Sequence, residues 1–160
     1  MEHKMHKADR QLSAAETLEV LKKGDHGTLS VNGDDGYPYA TPVNYVVVDG
    51  RVYIHSAPYG YKIECLEKSR KCCFSAIVSA HIVPSEITAT FESVVITGSV
   101  AFVEDEDKKR RALQEFITQK HAEYQEKGFK MVEAMIGRTA LLRVDAVEMT
   151  GKAYRGSMVH

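Results

Sequence analysis

The feature that most narrows the possible folds is a two-residue link. Asp49-Gly50 separates the apolar run Tyr45-Val46-Val47-Val48 from Arg51-Val52-Tyr53-Ile54-His55-Ser56. Two residues can join neighbouring strands only as an antiparallel hairpin, because a parallel crossover needs a dozen or more. Asp-Gly also suits the type I′ turn, whose two central residues both need positive φ. Asn32-Gly33-Asp34-Asp35-Gly36 similarly divides Gly27-Thr28-Leu29-Ser30-Val31 from the run Tyr39 to Val48. Further strand-like stretches lie at Cys72 to Val78, Ile87 to Val103 and Thr139 to Met149. These short connections exclude a doubly wound sheet of alternating βα units. Valine-rich antiparallel strands instead favour a small barrel, whose closure removes edges that would otherwise template aggregation.

Two residues mark irregular points in that barrel. Pro42 cannot donate to a ladder, so it marks an edge, a bulge or the start of a new strand. Gly98, inside a long apolar run, points to a bend or bulge. Helices flank the strands. Ser13-Ala14-Ala15-Glu16 reads as a capping box opening a helix with Leu18 and Leu21 on its apolar side and Gly24 at its end. The block Glu104 to Arg111 sets four acids before four bases, so each acid precedes a base by four residues. That spacing, with Leu113, Phe116, Ile117 and Tyr124 on the far side, predicts a solvated amphipathic helix. A short helical turn is expected over Met131 to Ile136, released by Gly137.

A chain of 160 residues fits a single domain. Its expected parts are a flexible segment 1–10, the barrel domain 11–155 and a tail 156–160. Lys and Arg total 21 against 22 Asp and Glu, which leaves no field for gathering a polyanion and argues against nucleic acid. No apolar stretch reaches the length of a membrane helix or a signal peptide. Cys65, Cys72 and Cys73 form no CxxC pair, and the seven histidines show no HExxH pattern. The expectation is a reduced cytoplasmic protein without a metal.

Chemistry concentrates in two stretches. In His55-Ser56-Ala57-Pro58-Tyr59-Gly60-Tyr61-Lys62 a strand ends in small polar residues, and a lysine follows a glycine turn at a helix start. A phosphate there would meet backbone amides, the Ser56 hydroxyl and the Lys62 ammonium. A plain turn with an exposed lysine fits the same residues, and His55 would equally serve as a hydrogen-bonded rim histidine. In Tyr39-Ala40-Thr41-Pro42-Val43-Asn44-Tyr45, Pro42 frees neighbouring backbone to meet the edge of a flat polar ring, with a strand bulge as the alternative. Ser93, within Phe91-Glu92-Ser93-Val94-Val95-Ile96, reads either as a ligand hydroxyl or as a satisfied core hydroxyl. No serine sits in a nucleophile elbow, and the paired cysteines sit among packing residues.

In order and spacing, HGTLSV, DGYPYATPVNYVV, VYIHSAPYGYKIECL, FESVVITGSVAFVED and VDAVEMTGKAYR resemble the flavin-binding split-barrel proteins related to pyridoxamine 5′-phosphate oxidase. Within them the chain is similar to the 5-nitroimidazole-resistance branch, over about Arg10 to Arg155. The resemblance implies a mainly β fold with helices, a six-stranded antiparallel split β-barrel. It also implies a homodimer holding flavin mononucleotide (FMN) in grooves between subunits. By the same resemblance, Thr41, Pro42, Val43 and Asn44 lie beside the ring, and His55, Ser56 and Ala57 near the ring and ribityl chain. Lys62 reaches the phosphate, and Ser93 completes the phosphate or ribityl side. Lysine stands where an arginine would clamp phosphate in two-point fashion, so charge is kept and geometry loosened. His55 is the catalytic candidate. The implied activity is an oxidoreductase that reduces a small flat acceptor, such as a 5-nitroimidazole-like nitroaromatic, with NAD(P)H as a possible donor. Tyr39, Tyr45, Tyr59 and Tyr61 are expected to wall the pocket. A non-catalytic flavin-binding or sensing protein and a haem-binding split barrel are the alternatives.

Overall fold

The computed structural model describes residues 4–156; the ends of the expected N-terminal segment and tail, 1–3 and 157–160, lie outside the described residues. One antiparallel sheet carries the fold. Its strands are β1 (His26–Asn32), β2 (Pro38–Asn44), β3 (Val46–Val48), β4 (Arg51–Ser56), β5 (Lys71–Val83), β6 (Thr88–Phe102) and β7 (Ala140–Tyr154). They run in the order β2-β1-β5-β6-β7-β4-β3, and β2 also approaches β4 without a ladder between them. The sheet therefore curls into a barrel that stays split along one seam.

The strand expected from Tyr39 to Val48 divides in two at Tyr45, so the described residues form seven strands where six were expected. The Tyr45 N–H donates to the Asp25 carbonyl at 3.0 Å, and its buried hydroxyl donates to the Leu21 carbonyl at 2.7 Å. Pinned at both ends, Tyr45 ends the pairing with β1 and passes the chain to β4. Pro42 does not interrupt β2; it pairs with Thr28 of β1, and β2 has no ladder on its other side among the described residues. The expected irregularity at Gly98 is a register shift against β7 between Thr97 and Gly98. A Cβ there would lie 2.1 Å from the Asp145 carbonyl oxygen, so only glycine fits. Past Val78 the β5–β6 hairpin continues to a Pro84–Glu86 turn, where the exposed Ile87 adopts a left-handed φ of 49°.

Among the described residues four α-helices flank the sheet: α1 (Ala14–Lys23), α2 (Tyr61–Lys68), α3 (Glu106–Lys120) and α4 (Gln125–Met135). Ser13 and Glu16 form the expected capping box on α1. Asp105 caps α3 by accepting the Lys108 N–H at 2.8 Å. Arg110 reaches back to Glu106 and Asp107 and across to Glu133, tying α3 to α4. Tyr124 is not on the inner face of α3, because that helix ends at Lys120 and Tyr124 sits exposed in a 3-10 turn. The helical turn expected at Met131 to Ile136 is the end of the longer α4.

Two apolar layers result. The barrel interior is filled by fully buried Leu29, Tyr45, Ile54, Leu66, Phe74, Val94 and Leu142. Outside it, α3 and α4 pack Leu113, Phe116 and Val132 on Val46 and Leu141. The rim of this second layer is where the candidate site lies.

Candidate functional site

Period-two alternation along β4 sends Val52 and Ile54 into the barrel and Tyr53 and His55 outward, under α3. The His55 ring meets Phe116 edge to face, with centroids 4.8 Å apart. His55 stays exposed at the rim, yet partial desolvation there, then the Lys62 charge, lower its pKa below the ordinary 6.5 and favour the neutral imidazole. Beyond it opens a cavity of about 760 Å³ between the barrel rim and the α3–α4 pair, lined also by Asn44.

After β4, Gly60 takes φ 104° and caps α2, whose second residue is Lys62. Lys62 is half-buried and makes no hydrogen bond or ion pair among the described residues, and desolvation lowers its pKa. A partly desolvated ammonium with no counter-ion among the described residues, on the second residue of a helix, is suited to an anion. Ser56 is half-buried and donates to the Ala57 carbonyl at 3.0 Å, while Ala57 is exposed at the loop surface.

On β2 the side chains alternate. Thr41 and Val43 turn toward the barrel, and the Thr41 Oγ1 is buried with no partner among the described residues. Pro42 and Asn44 face outward. The Asn44 Nδ2 lies 2.9 Å from the His26 Nε2, and the His26 Nδ1 meets the Asp25 carboxylate, whose pKa that bond lowers. Ser93 lies elsewhere. It sits on β6 opposite Ile77 and Lys152, with its hydroxyl 3.5 Å from the Lys152 carbonyl. That is roughly 30 Å along the strand from the end of β6 beside His55. A single chain thus brings His55, Asn44 and Lys62 to one region and leaves Ser93 apart.

Of the four tyrosines expected as pocket walls, Tyr45 lines the cavity as a fully buried residue whose side chain belongs to the core, with burial pushing its hydroxyl to about 12. Tyr39 and Tyr61 stack edge to face at 4.9 Å, and Tyr61 donates to Asp34, which also pairs with Lys68. They brace the 33–36 turn against α2. Tyr59 is exposed in the loop before α2. Burial pushes the Cys72 thiol up to about 11, so it is a poor nucleophile. Among the described residues no cluster of His, Cys, Asp or Glu is arranged to hold a metal.

Asp25, His26 and the inner faces of α3 and α4 were not singled out from sequence. His26 had a detectable signal: counting outward from the 33–36 turn pairs Asn32 with Pro38 and therefore His26 with Asn44.

The family model for pyridoxamine 5′-phosphate oxidase matches residues 13–153. The chain belongs to this family. No curated protein matches it significantly in sequence. Among solved structures, a conserved hypothetical protein of Mycobacterium tuberculosis is 22% identical, with 95% of this chain and 91% of that one covered and a TM-score of 0.82. A candidate 5-nitroimidazole antibiotic resistance protein of Bacteroides thetaiotaomicron is also 22% identical, covering 95% and 96%, with a TM-score of 0.72. An FAD-binding protein of Mesorhizobium loti is 21% identical, covering 91% and 97%, with a TM-score of 0.68. At these identities the family's split-barrel fold is shared, while each chain's ligand is its own. Among the described residues no helix is long and apolar enough to cross a membrane.

Proposed function

We propose that this chain is an FMN-dependent oxidoreductase that reduces a small flat acceptor, such as a 5-nitroimidazole-like nitroaromatic. The observation carrying the reading is Lys62, a half-buried ammonium without a counter-ion among the described residues, beside His55 at the start of α2. Lys62 would hold the cofactor phosphate, with Ser56 and Ala57 along the ribityl chain. Thr41, Pro42, Val43 and Asn44 would border the ring, and the unpartnered Thr41 Oγ1 is a group such a ligand could satisfy. Flavin supplies the electron transfer when bound. The chain's own part is to orient that ring and exclude water with Phe116. His55, favoured as the neutral imidazole, would orient the ring or take part in proton transfer to the acceptor. NAD(P)H would serve as donor by stacking on the ring.

A homodimer completes the proposal. The outward faces of β1, β5 and β6 present Ser30, Ser75, Ile77, Val95 and Thr97, none of them charged and two of them exposed aliphatics. Such a face suits a self-complementary interface, and it would bring the distant Ser93 of one subunit near the other. The free cysteines suit the reducing cytoplasm.

The test is the visible spectrum and released cofactor of freshly purified protein. Flavin bands with FMN released are expected, FAD release would change the cofactor, and a Soret band would replace flavin with haem. Flavin that binds and, once reduced, is not reoxidised by any nitro acceptor would leave a binding or sensing protein. Light scattering should give about twice 17.9 kDa.

A further inference from the structure

The cavity beside His55 has a chemistry of its own. Its wall is apolar and built from both outer helices, with Leu113, Phe116 and Ile117 from α3 and Met131, Val132 and Met135 from α4. A volume of about 760 Å³ falls within the range of small-molecule sites. Met131 and Met135 are partly exposed, and unbranched thioethers adapt to the outline of a flat ring. The separation of the helices is set at Gly128, where a Cβ would lie 2.4 Å from Ile117 Cγ2.

At the opposite end the polar groups have defined roles. An ionised Asp25 carboxylate only accepts, so the His26 Nδ1 that faces it carries the proton of that bond. In the neutral ring Nε2 is then an acceptor and takes an N–H from Asn44 Nδ2. This commits the Asn44 amide: its Nδ2 is occupied, and its Oδ1, with no partner among the described residues, is left as an acceptor in a residue that lines the cavity. Histidines aside, the charged groups lining the cavity are Asp25 and Lys120. They are of opposite sign and both engaged, Asp25 with His26 and Lys120 with the Gly24 carbonyl at 2.8 Å. The site therefore offers an ion no net attraction.

We infer that this cavity binds a neutral, flat, largely apolar molecule that presents an O–H or N–H donor to Asn44, with Asp25 and His26 positioning the amide. Naming that molecule as the acceptor or its reduced product rests on the proposed function; the binding itself does not.

The experiment uses flavin-free protein and two fluorescent probes, 2-naphthol and 2-methoxynaphthalene, which differ in the donor alone. Wild type should bind 2-naphthol at least tenfold more tightly, about 1.4 kcal/mol. Asn44→Ala and His26→Ala should bring the ratio to within about threefold with unchanged circular dichroism. Met131→Glu should weaken both probes at least tenfold and leave the ratio in place. In wild type, ¹⁵N-detected NMR should find the His26 proton on Nδ1. Equal affinities, a ratio indifferent to Asn44→Ala, no binding of either probe, or the proton on Nε2 would overturn the inference. A separate FMN titration keeps the two proposals apart. FMN binding without naphthol binding removes only the inferred pocket, and naphthol binding without FMN binding removes only the flavin reading.

Discussion

Replacing Lys62 with alanine removes a positive charge that has lost part of its water and gained no partner among the described residues. In the free protein that costs little, and the change should relieve a small desolvation strain. In the FMN complex it removes a charge-assisted hydrogen bond to phosphate, worth about 1.5 to 3 kcal/mol. A unit pair at about 4 Å in an effective dielectric of 20 interacts by about 4 kcal/mol, an upper bound that partial exposure lowers. The dissociation constant for FMN should therefore rise roughly 13- to 160-fold. Binding should persist, because the amides at the start of α2 remain. Riboflavin lacks the phosphate, so its affinity should change less than about threefold. The same substitution has a second readout. Lys62 is one of two causes of the low His55 pKa, so the His55 titration followed by NMR should move upward in Lys62→Ala. Equal losses for FMN and riboflavin, or an unchanged FMN affinity, would refute the phosphate role.

The remaining predictions address the site and the scaffold. His55→Gln should keep most of the bound flavin and lower the rate at which a nitroaromatic reoxidises it more than tenfold, above about 1.4 kcal/mol, in anaerobic stopped flow; an unchanged rate at equal occupancy removes His55 from the chemistry. Because the folded state holds the His55 pKa below 6.5, the unfolded chain takes the proton first as pH falls, and stability drops from about 6.5 down through the folded value. Urea midpoints at pH 7.5 and 5.5 should accordingly differ less in His55→Gln than in wild type. Tyr45→Phe deletes a buried bond to the α1 carbonyl of Leu21 and should cost about 1 to 2 kcal/mol in urea unfolding without altering FMN affinity. Gly98→Ala forces a methyl against the Asp145 carbonyl and should destabilise by about 3 kcal/mol, whereas Gly50→Ala, with open space around it, should cost only its left-handed backbone strain, about 1 kcal/mol.

Local rules made much of the molecule legible. The Asp49-Gly50 hairpin, the Ser13 capping box and the charge-laced α3 each depend on residues within a few positions of one another, while a glycine inside an apolar run marked the bulge whose close partner, Asp145, lies far along the chain. Antiparallel pairing with short links leaves few topologies, so the barrel followed from strand count and loop length. Lys62 at the start of α2 and the outward-facing His55 were readable as well, since helix capping and period-two alternation act locally. The burial of Tyr45 was not: its hydroxyl is satisfied by a carbonyl on α1, 24 residues earlier in the chain, which makes this cavity-lining residue part of the core as well. Tertiary packing also decided where α3 lies, and hence that Phe116 closes on His55 and that a cavity opens between the helices and the barrel rim. The charge pattern of α3 gives it an inner face but names no partner for that face. Nor does spacing alone show that Ser93 lies far from His55: β6 passes Ser93 first and reaches the end beside His55 only at Phe102. The sequence by itself determined which elements form and which of their faces are apolar, since those depend on neighbours in the chain. The meeting of faces, and with it the low pKa of His55 and the charge of Lys62 left unpartnered among the described residues, came from burial, which is a property of the folded whole.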